Sequence, residues 1–176
     1  MRIVKWLFGI VLVAAALVWV GGLLLSPKVI VARSIVIAAP PDKVYALLVD
    51  PRQWKRWTAW SRRDPQMQMT FSGAASGAGA AWAWKSKGEG DGRMLFTAAE
   101  PGRRLAYELY FPEFDNTSGG DLSLAAEGAG TRVTWTMNGD FGSNPLWRWM
   151  ALFADRMIGP DFEAGLANLK AEAEKP

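Results

Sequence analysis

The sequence predicts an α+β domain, a curved antiparallel sheet wrapped on a long C-terminal helix, preceded by one transmembrane helix. Three patterns predict it. An uncharged apolar run occupies residues 6–25. Apolar residues alternate with period two from Met67 to Met137, broken only by turn residues. An apolar stripe at helical spacing closes the chain, through Leu146, Trp149, Met150, Phe153 and Met157.

The first element is the apolar run, twenty residues long. At about 1.5 Å per residue it reaches about 30 Å, the thickness of a bilayer's hydrocarbon core. Twelve of the twenty are Leu, Ile, Val or Phe. At roughly −0.3 to −0.6 kcal/mol for each central residue, insertion is favoured by several kcal/mol. The run ends Leu23-Leu24-Leu25-Ser26-Pro27, without the small-x-small site of a cleaved signal peptide, so it reads as an anchor. Arg2 and Lys5 precede it and Lys28 and Arg33 follow, which leaves only a slight positive-inside bias. The short tail, residues 1–5, favours a cytoplasmic N-terminus with the domain on the other side of the membrane.

After the anchor, the β-branched stretch Val29 to Ala38 predicts a strand, ended by Pro40-Pro41. A short helix follows, with proline in its first turn, Asp42 near its start, and Val44, Leu47 and Leu48 on one face. Asp50-Pro51 stops it. A second short helix carries Trp54, Trp57 and Trp60. Six strands then succeed one another. Met67, Met69 and Phe71 mark the first, Trp82 and Trp84 the second, and Met94 to Ala99 the third. Leu105, Tyr107, Leu109 and Phe111 share one face of the fourth. Leu122, Leu124 and Ala126 mark the fifth, and Val133, Trp135 and Met137 the sixth. Asn144 and Pro145 suit the start of the final helix, and Pro160 predicts a kink within it. A sheet apolar on one face must be covered, and this helix is the element available. The organisation is therefore a tail at 1–5, a transmembrane helix at 6–25 and one soluble domain over 29–172. A domain of this size needs no metal or disulfide staple.

Composition excludes several chemistries. There is no cysteine and no histidine. Disulfides, thiolate nucleophiles and the commonest metal ligand and general base are all absent. The net charge is +3, with no basic block, so nucleic acid is not an expected partner. Gly77-Ala78-Gly79 leads into a strand and reads as a turn, not a dinucleotide loop. Glu113, Asp115, Asn116 and Thr117 read as a solvated loop rather than a Ca²⁺ site. Glu108 is expected to face water. No catalytic residue, cofactor or metal is implied.

The stretch from Arg33 through Ala39-Pro40-Pro41-Asp42 to Asp50, followed by Trp54 and Trp57, resembles the opening of the START/Bet v 1-like (SRPBCC) superfamily. It is most similar to the bacterial polyketide cyclase/dehydrase group. Gly159-Pro160-Asp161-Phe162-Glu163, then Gly165 to Lys170, is similar to the end of membrane-anchored members. The resemblance implies a helix-grip fold, a curved seven-strand sheet around the C-terminal helix, with an internal pocket for hydrophobic ligands. Together with the anchor and its short N-terminal tail, the expected location is a bacterial inner membrane with the domain outside the cytoplasm. The resemblance does not imply one chemistry, because members include lipid carriers, hormone receptors, cyclases and chaperone activators.

The tryptophans stand out: ten in the chain, eight of them outside the anchor. Trp57, Trp60, Trp82, Trp84, Tyr107, Trp135, Trp149 and Phe153 are the candidate pocket-lining residues, against the simpler reading that they fill a core. The leading expectation is binding of a lipid-like or aromatic small molecule at the membrane surface, as a monomer. A cyclase or dehydratase, relying on Asp, Glu, Tyr or Arg, is one alternative. A chaperone-activator-type interaction module is another, and it would need an apolar patch on the outer face of the sheet.

Overall fold

The computed structural model describes residues 2–176. Helix α1, Arg2–Leu24, is followed by strand β1, Lys28–Ile37, and helix α2, Pro41–Val49. A 3-10 turn, Pro51–Gln53, leads to α3, Trp54–Trp57, and α4, Ala59–Arg63. Strands β2 (Gln68–Gly73), β3 (Ala80–Lys85), β4 (Gly92–Glu100), β5 (Arg104–Phe111), β6 (Asn116–Glu127) and β7 (Gly130–Asp140) follow in succession. Helices α5, Pro145–Ala151, and α6, Ala154–Ala173, complete the chain.

The strands form one antiparallel sheet of seven in the order β1-β7-β6-β5-β4-β3-β2. Neighbours from β2 to β7 are joined by turns, as period-two alternation with short breaks requires. Strand β1 instead pairs with β7, with Arg33 opposite Trp135. The segment α2–α4 therefore carries the chain from one edge of the sheet to the other. A register shift between Phe96 and Ala98 interrupts the β4–β5 ladder, a bulge of the kind that bends a strand. The inward residues are Val31, Trp82, Trp84, Met94, Phe96, Leu105, Tyr107, Leu122, Val133 and Trp135, all buried. Helix α6 covers this face with Phe162, Leu166 and Leu169, also buried. This is the helix-grip arrangement.

Three details differ from the sequence-based expectation. Helix α1 begins at Arg2, so residues 2–5, expected as a tail, belong to the helix. The single tryptophan helix is a 3-10 turn and two short helices, because Thr58 adopts an extended conformation between them. The long C-terminal helix is broken at Leu152–Phe153, and α6 runs without interruption through Pro160. The break serves two different partners. Helix α5 packs on α1, whereas α6 packs on the sheet and on α2–α4. One stripe in sequence cannot face both directions along a straight helix.

Helix α1 is the one described helix long and apolar enough to cross a membrane, with a mean hydropathy of 2.6 over Ile3–Leu24. Its side chains are largely exposed.

Candidate functional site

The space between α6 and the sheet is occupied by an aromatic cluster centred on Trp54. Its ring centroid lies 4.7 Å from Trp57, 5.2 Å from Trp82, 5.6 Å from Phe96 and 5.9 Å from Trp135. Most pairs are tilted or edge-on, the arrangement favoured by the ring quadrupole. Trp135 is 5.3 Å from Trp57 and 5.7 Å from Trp60, and stacks at 4.0 Å on Phe162 of α6. A Cβ at Gly165 would lie 2.9 Å from the Trp135 ring, so glycine there lets α6 settle on that ring.

The three most deeply buried indoles, Trp54, Trp57 and Trp135, each have an acceptor, as a water-excluded site demands. Trp54 donates to the Leu48 carbonyl at 2.8 Å and Trp57 to the Leu47 carbonyl at 3.2 Å. These bonds tie α3 to the end of α2. Trp135 donates to the Tyr107 hydroxyl at 2.9 Å, and that hydroxyl donates to the Thr136 carbonyl at 3.2 Å. Burial pushes the Tyr107 hydroxyl well above the ordinary tyrosine range, so it is a neutral group at neutral pH. The other buried polar side chains, among the described residues, are Thr58, Ser61 and Thr131. Their hydroxyls are satisfied: Thr58 donates to the Trp54 carbonyl at 2.9 Å and pairs with the Ser61 hydroxyl at 2.8 Å, and Thr131 donates to the Ala39 carbonyl.

Charge surrounds this interior without entering it. Arg33 on β1 reaches α6, bonding Asp155 at 2.8 Å and Glu163 at 2.6 Å. Arg56 on α3 bonds Glu172 at 2.6 Å, Arg62 on α4 bonds Asn168 at 2.6 Å, and Arg63 holds both Glu89 and Asp161. Arginines from both sides thus hold α6 over the aromatic cluster. The Arg33 guanidinium holds the Asp155 carboxyl below its ordinary value, and Lys175, then Arg56, do the same for Glu172. Among the described residues, no three His, Cys, Asp or Glu side chains are grouped to hold a metal ion.

Of the candidate residues, Trp57, Trp82, Trp84, Tyr107 and Trp135 are buried under α6, and half-buried Trp60 lies at the edge of the group. Trp84 sits towards one end, 6.0 Å from Phe111. Trp149 and Phe153 are not brought to this interior. Trp149 packs on α1, and Phe153 is 47 % exposed at the helix break. Trp54, Phe96 and Phe162 belong to the cluster and were not among the candidates. The i, i+3 repeat of Trp54, Trp57 and Trp60 contained the signal for Trp54. Phe96 was legible as an inward residue of its strand.

The interior is filled by these rings. Two grooves open elsewhere. One, of about 630 Å³, runs along α1 past Trp6, Ile10, Val13 and Leu17. The other, of about 430 Å³, lies on the sheet beside Ala83, Arg93, Leu95, Glu108 and Tyr110.

The sequence model of one protein family, described as polyketide cyclase / dehydrase and lipid transport, matches residues 28–174. No curated protein sequence matches the chain. Among solved structures, protein CV1439 from Chromobacterium violaceum is similar with a TM-score of 0.62 at 16 % identity, over 84 % of this chain and 99 % of its own. The di-domain ARO/CYC StfQ, from the steffimycin biosynthetic pathway, gives a TM-score of 0.65 at 13 % identity, over 84 % of this chain and 51 % of its own. Ara h 8.0201 gives 0.58 at 13 % identity, over 83 % and 97 %. At these identities the likeness establishes the fold.

Proposed function

The chain belongs to the polyketide cyclase/dehydrase and lipid-transport family, and on that footing we propose that it binds a hydrophobic small molecule between α6 and the sheet. The ligand is lipid-like or aromatic, and α1 anchors the domain, residues 29–172, at a membrane surface with the domain outside the cytoplasm. The observation that supports this reading is the aromatic cluster itself. Trp54, Trp57, Trp60, Trp82, Trp135 and Phe162 are gathered where a helix-grip domain can enclose a ligand. Flat apolar rings backed by satisfied N–H groups suit a ligand recognised by shape and apolar contact.

Since the rings occupy the interior, binding proceeds by displacing them. The part that moves in this reading is the short-helix segment α2–α4, which contributes Trp54, Trp57 and Trp60. Trp60, half-buried at the edge, is the first ring to move. Tyr107 and Trp135, joined by a hydrogen bond on the sheet, form the stationary wall.

Native mass spectrometry of the detergent-purified full chain tests the proposal directly. A co-purifying apolar molecule, together with saturable binding of a fluorescent fatty-acid analogue that quenches tryptophan emission, is the expected result. A ligand-free spectrum with no saturable quenching overturns it.

A further inference from the structure

The last turns of α1 are clasped by α5. The Trp149 indole donates to the Val18 carbonyl at 3.0 Å. A Cβ at Gly21 would lie 2.7 Å from the Trp149 ring, and one at Gly22 only 2.2 Å from the Pro145 carbonyl oxygen. This pair of glycines lets the two backbones approach closely, the device that joins helices in membranes. Arg148 donates to the carbonyls of Leu23, at 3.2 Å, and Leu25, at 3.4 Å. These belong to the end of α1, where helical partners run out.

This contact sets the depth of α5, given the reading that α1 spans a membrane. The span Ile3–Leu24 has 22 residues. At about 1.5 Å per residue it is about 33 Å long, against a hydrocarbon core of about 30 Å. There is almost no slack to lift its end clear of lipid. Val18 lies about 9 Å below Leu24 along the helix by the same rise. A helix bonded to Val18 and packed on Gly21 and Gly22 is therefore held at the bilayer boundary.

The surface of α5 and its junction with α6 has the matching chemistry. Leu146, Trp147, Met150, Leu152, Phe153 and Met157 are exposed, from 37 % for Met150 to 61 % for Met157. Leu146 and Met150 are one helical turn apart on α5, and Phe153 and Met157 are one turn apart at the start of α6. Large apolar side chains grouped in this way mark an interaction surface. Tryptophan is the residue enriched at the membrane boundary; Arg156, beside Met157, and Lys28, just after α1, are exposed cations.

We propose that α5 and the α5–α6 junction form an interfacial element immersed in the leaflet around α1, and that what covers this patch is bilayer lipid. The domain is thereby fixed in one orientation against the membrane, rather than tethered by the short segment Leu25–Pro27 alone. Apolar faces at this depth sit in the headgroup and acyl boundary.

The chain has no cysteine, so single introduced cysteines label uniquely. Full-length Leu152→Cys and Phe153→Cys, with Val11→Cys in α1 and Glu108→Cys on the outer face of the sheet as references, are labelled with an environment-sensitive fluorophore. Each is reconstituted into phosphatidylcholine vesicles, and the acyl chains are then replaced by brominated ones. Positions 152 and 153 are expected to lose most of their emission, as Val11 does, while Glu108 keeps its own. Quenching at Val11 without quenching at 152 and 153 overturns the proposal and leaves the spanning helix intact; the patch then belongs to a protein partner or a second copy. No quenching at Val11 removes the spanning helix and this inference together. All four substituted side chains are exposed, so folding is preserved, and circular dichroism verifies it.

Discussion

Trp135 and Phe162 lie face to face, their ring centroids 4.0 Å apart and their planes within 5° of parallel. The sheet and the C-terminal helix thus meet through one pair of rings. Phe162→Ala removes the helix side of that pair and opens a cavity, with an expected loss of about 3–5 kcal/mol. Denaturant unfolding of the full chain in detergent measures it. Phe162→Leu, which keeps most of the volume, should lose clearly less. Equal losses for both would mean that the stacked ring, absent from both variants, carries the contribution rather than the volume it fills.

Tyr107→Phe leaves the Trp135 indole N–H without its acceptor in a water-free site. The expected cost is about 1–3 kcal/mol, although the substitution deletes a single oxygen. The same hydroxyl makes the fold alkali-sensitive. Its folded-state pKa is raised by burial above the ordinary value of 10.0. Below pH about 10 both folded and unfolded chains carry the proton and the stability is complete. Above that, only the unfolded chain releases it readily, so stability falls as pH rises. Tyrosinate absorbance should report the Tyr107 fraction only together with unfolding, and Tyr107→Phe should abolish that part of the alkaline loss.

At the acid end the sign is opposite. Arg33 holds the Asp155 carboxyl below its ordinary value of 3.8. The contribution is therefore present above the unfolded-state pKa and is lost as pH falls through the lower folded-state value. Asp155 is exposed, so the effect is small and salt-sensitive. Denaturation midpoints of the native chain and Arg33→Met should converge as the solution is acidified below pH about 4. Parallel curves would assign Arg33 a packing role alone.

Trp149→Ala should leave the unfolding free energy of the domain within about 1 kcal/mol of the native value, since this ring lies outside the aromatic cluster. What it weakens is the hold of α5 on α1. In detergent, hydrogen exchange at Gly21, Gly22 and Leu23 should rise while β5 and β7 stay protected. A large global destabilisation would return Trp149 to the core.

Trp60→Ala separates ligand binding from folding. Trp60 is half-buried and touches Trp135 at 5.7 Å. Affinity for the fluorescent fatty-acid analogue should fall several-fold, with a smaller stability loss than Trp57→Ala, whose ring is fully buried. Unchanged affinity would remove Trp60 from the groups that hold the ligand.

Much of this architecture was legible from local pattern. Alternation assigned the inward faces of β3, β5, β6 and β7, because successive side chains on a strand point to opposite sides whatever the strand pairs with. The length and apolarity of α1 follow from composition alone. The acceptors of the Trp54 and Trp57 indoles were not legible, because they are backbone carbonyls set by the path of the chain.

The C-terminal helices show where local pattern stops. Leu146, Trp149, Met150, Phe153 and Met157 form a stripe at helical spacing, and the spacing is real. A stripe states which residues share a face, not what that face meets. Pro160, which removes one hydrogen bond, sits within α6 without breaking it, while Leu152–Phe153, which contain no breaker, end α5. The sequence by itself determined the anchor-like helix, the strand faces and the apolar stripe, since each depends only on residue spacing and side-chain chemistry. Tertiary structure alone decided that Trp149 turns to α1 while Phe162 turns to Trp135, because that choice rests on burying two apolar surfaces that lie in different directions.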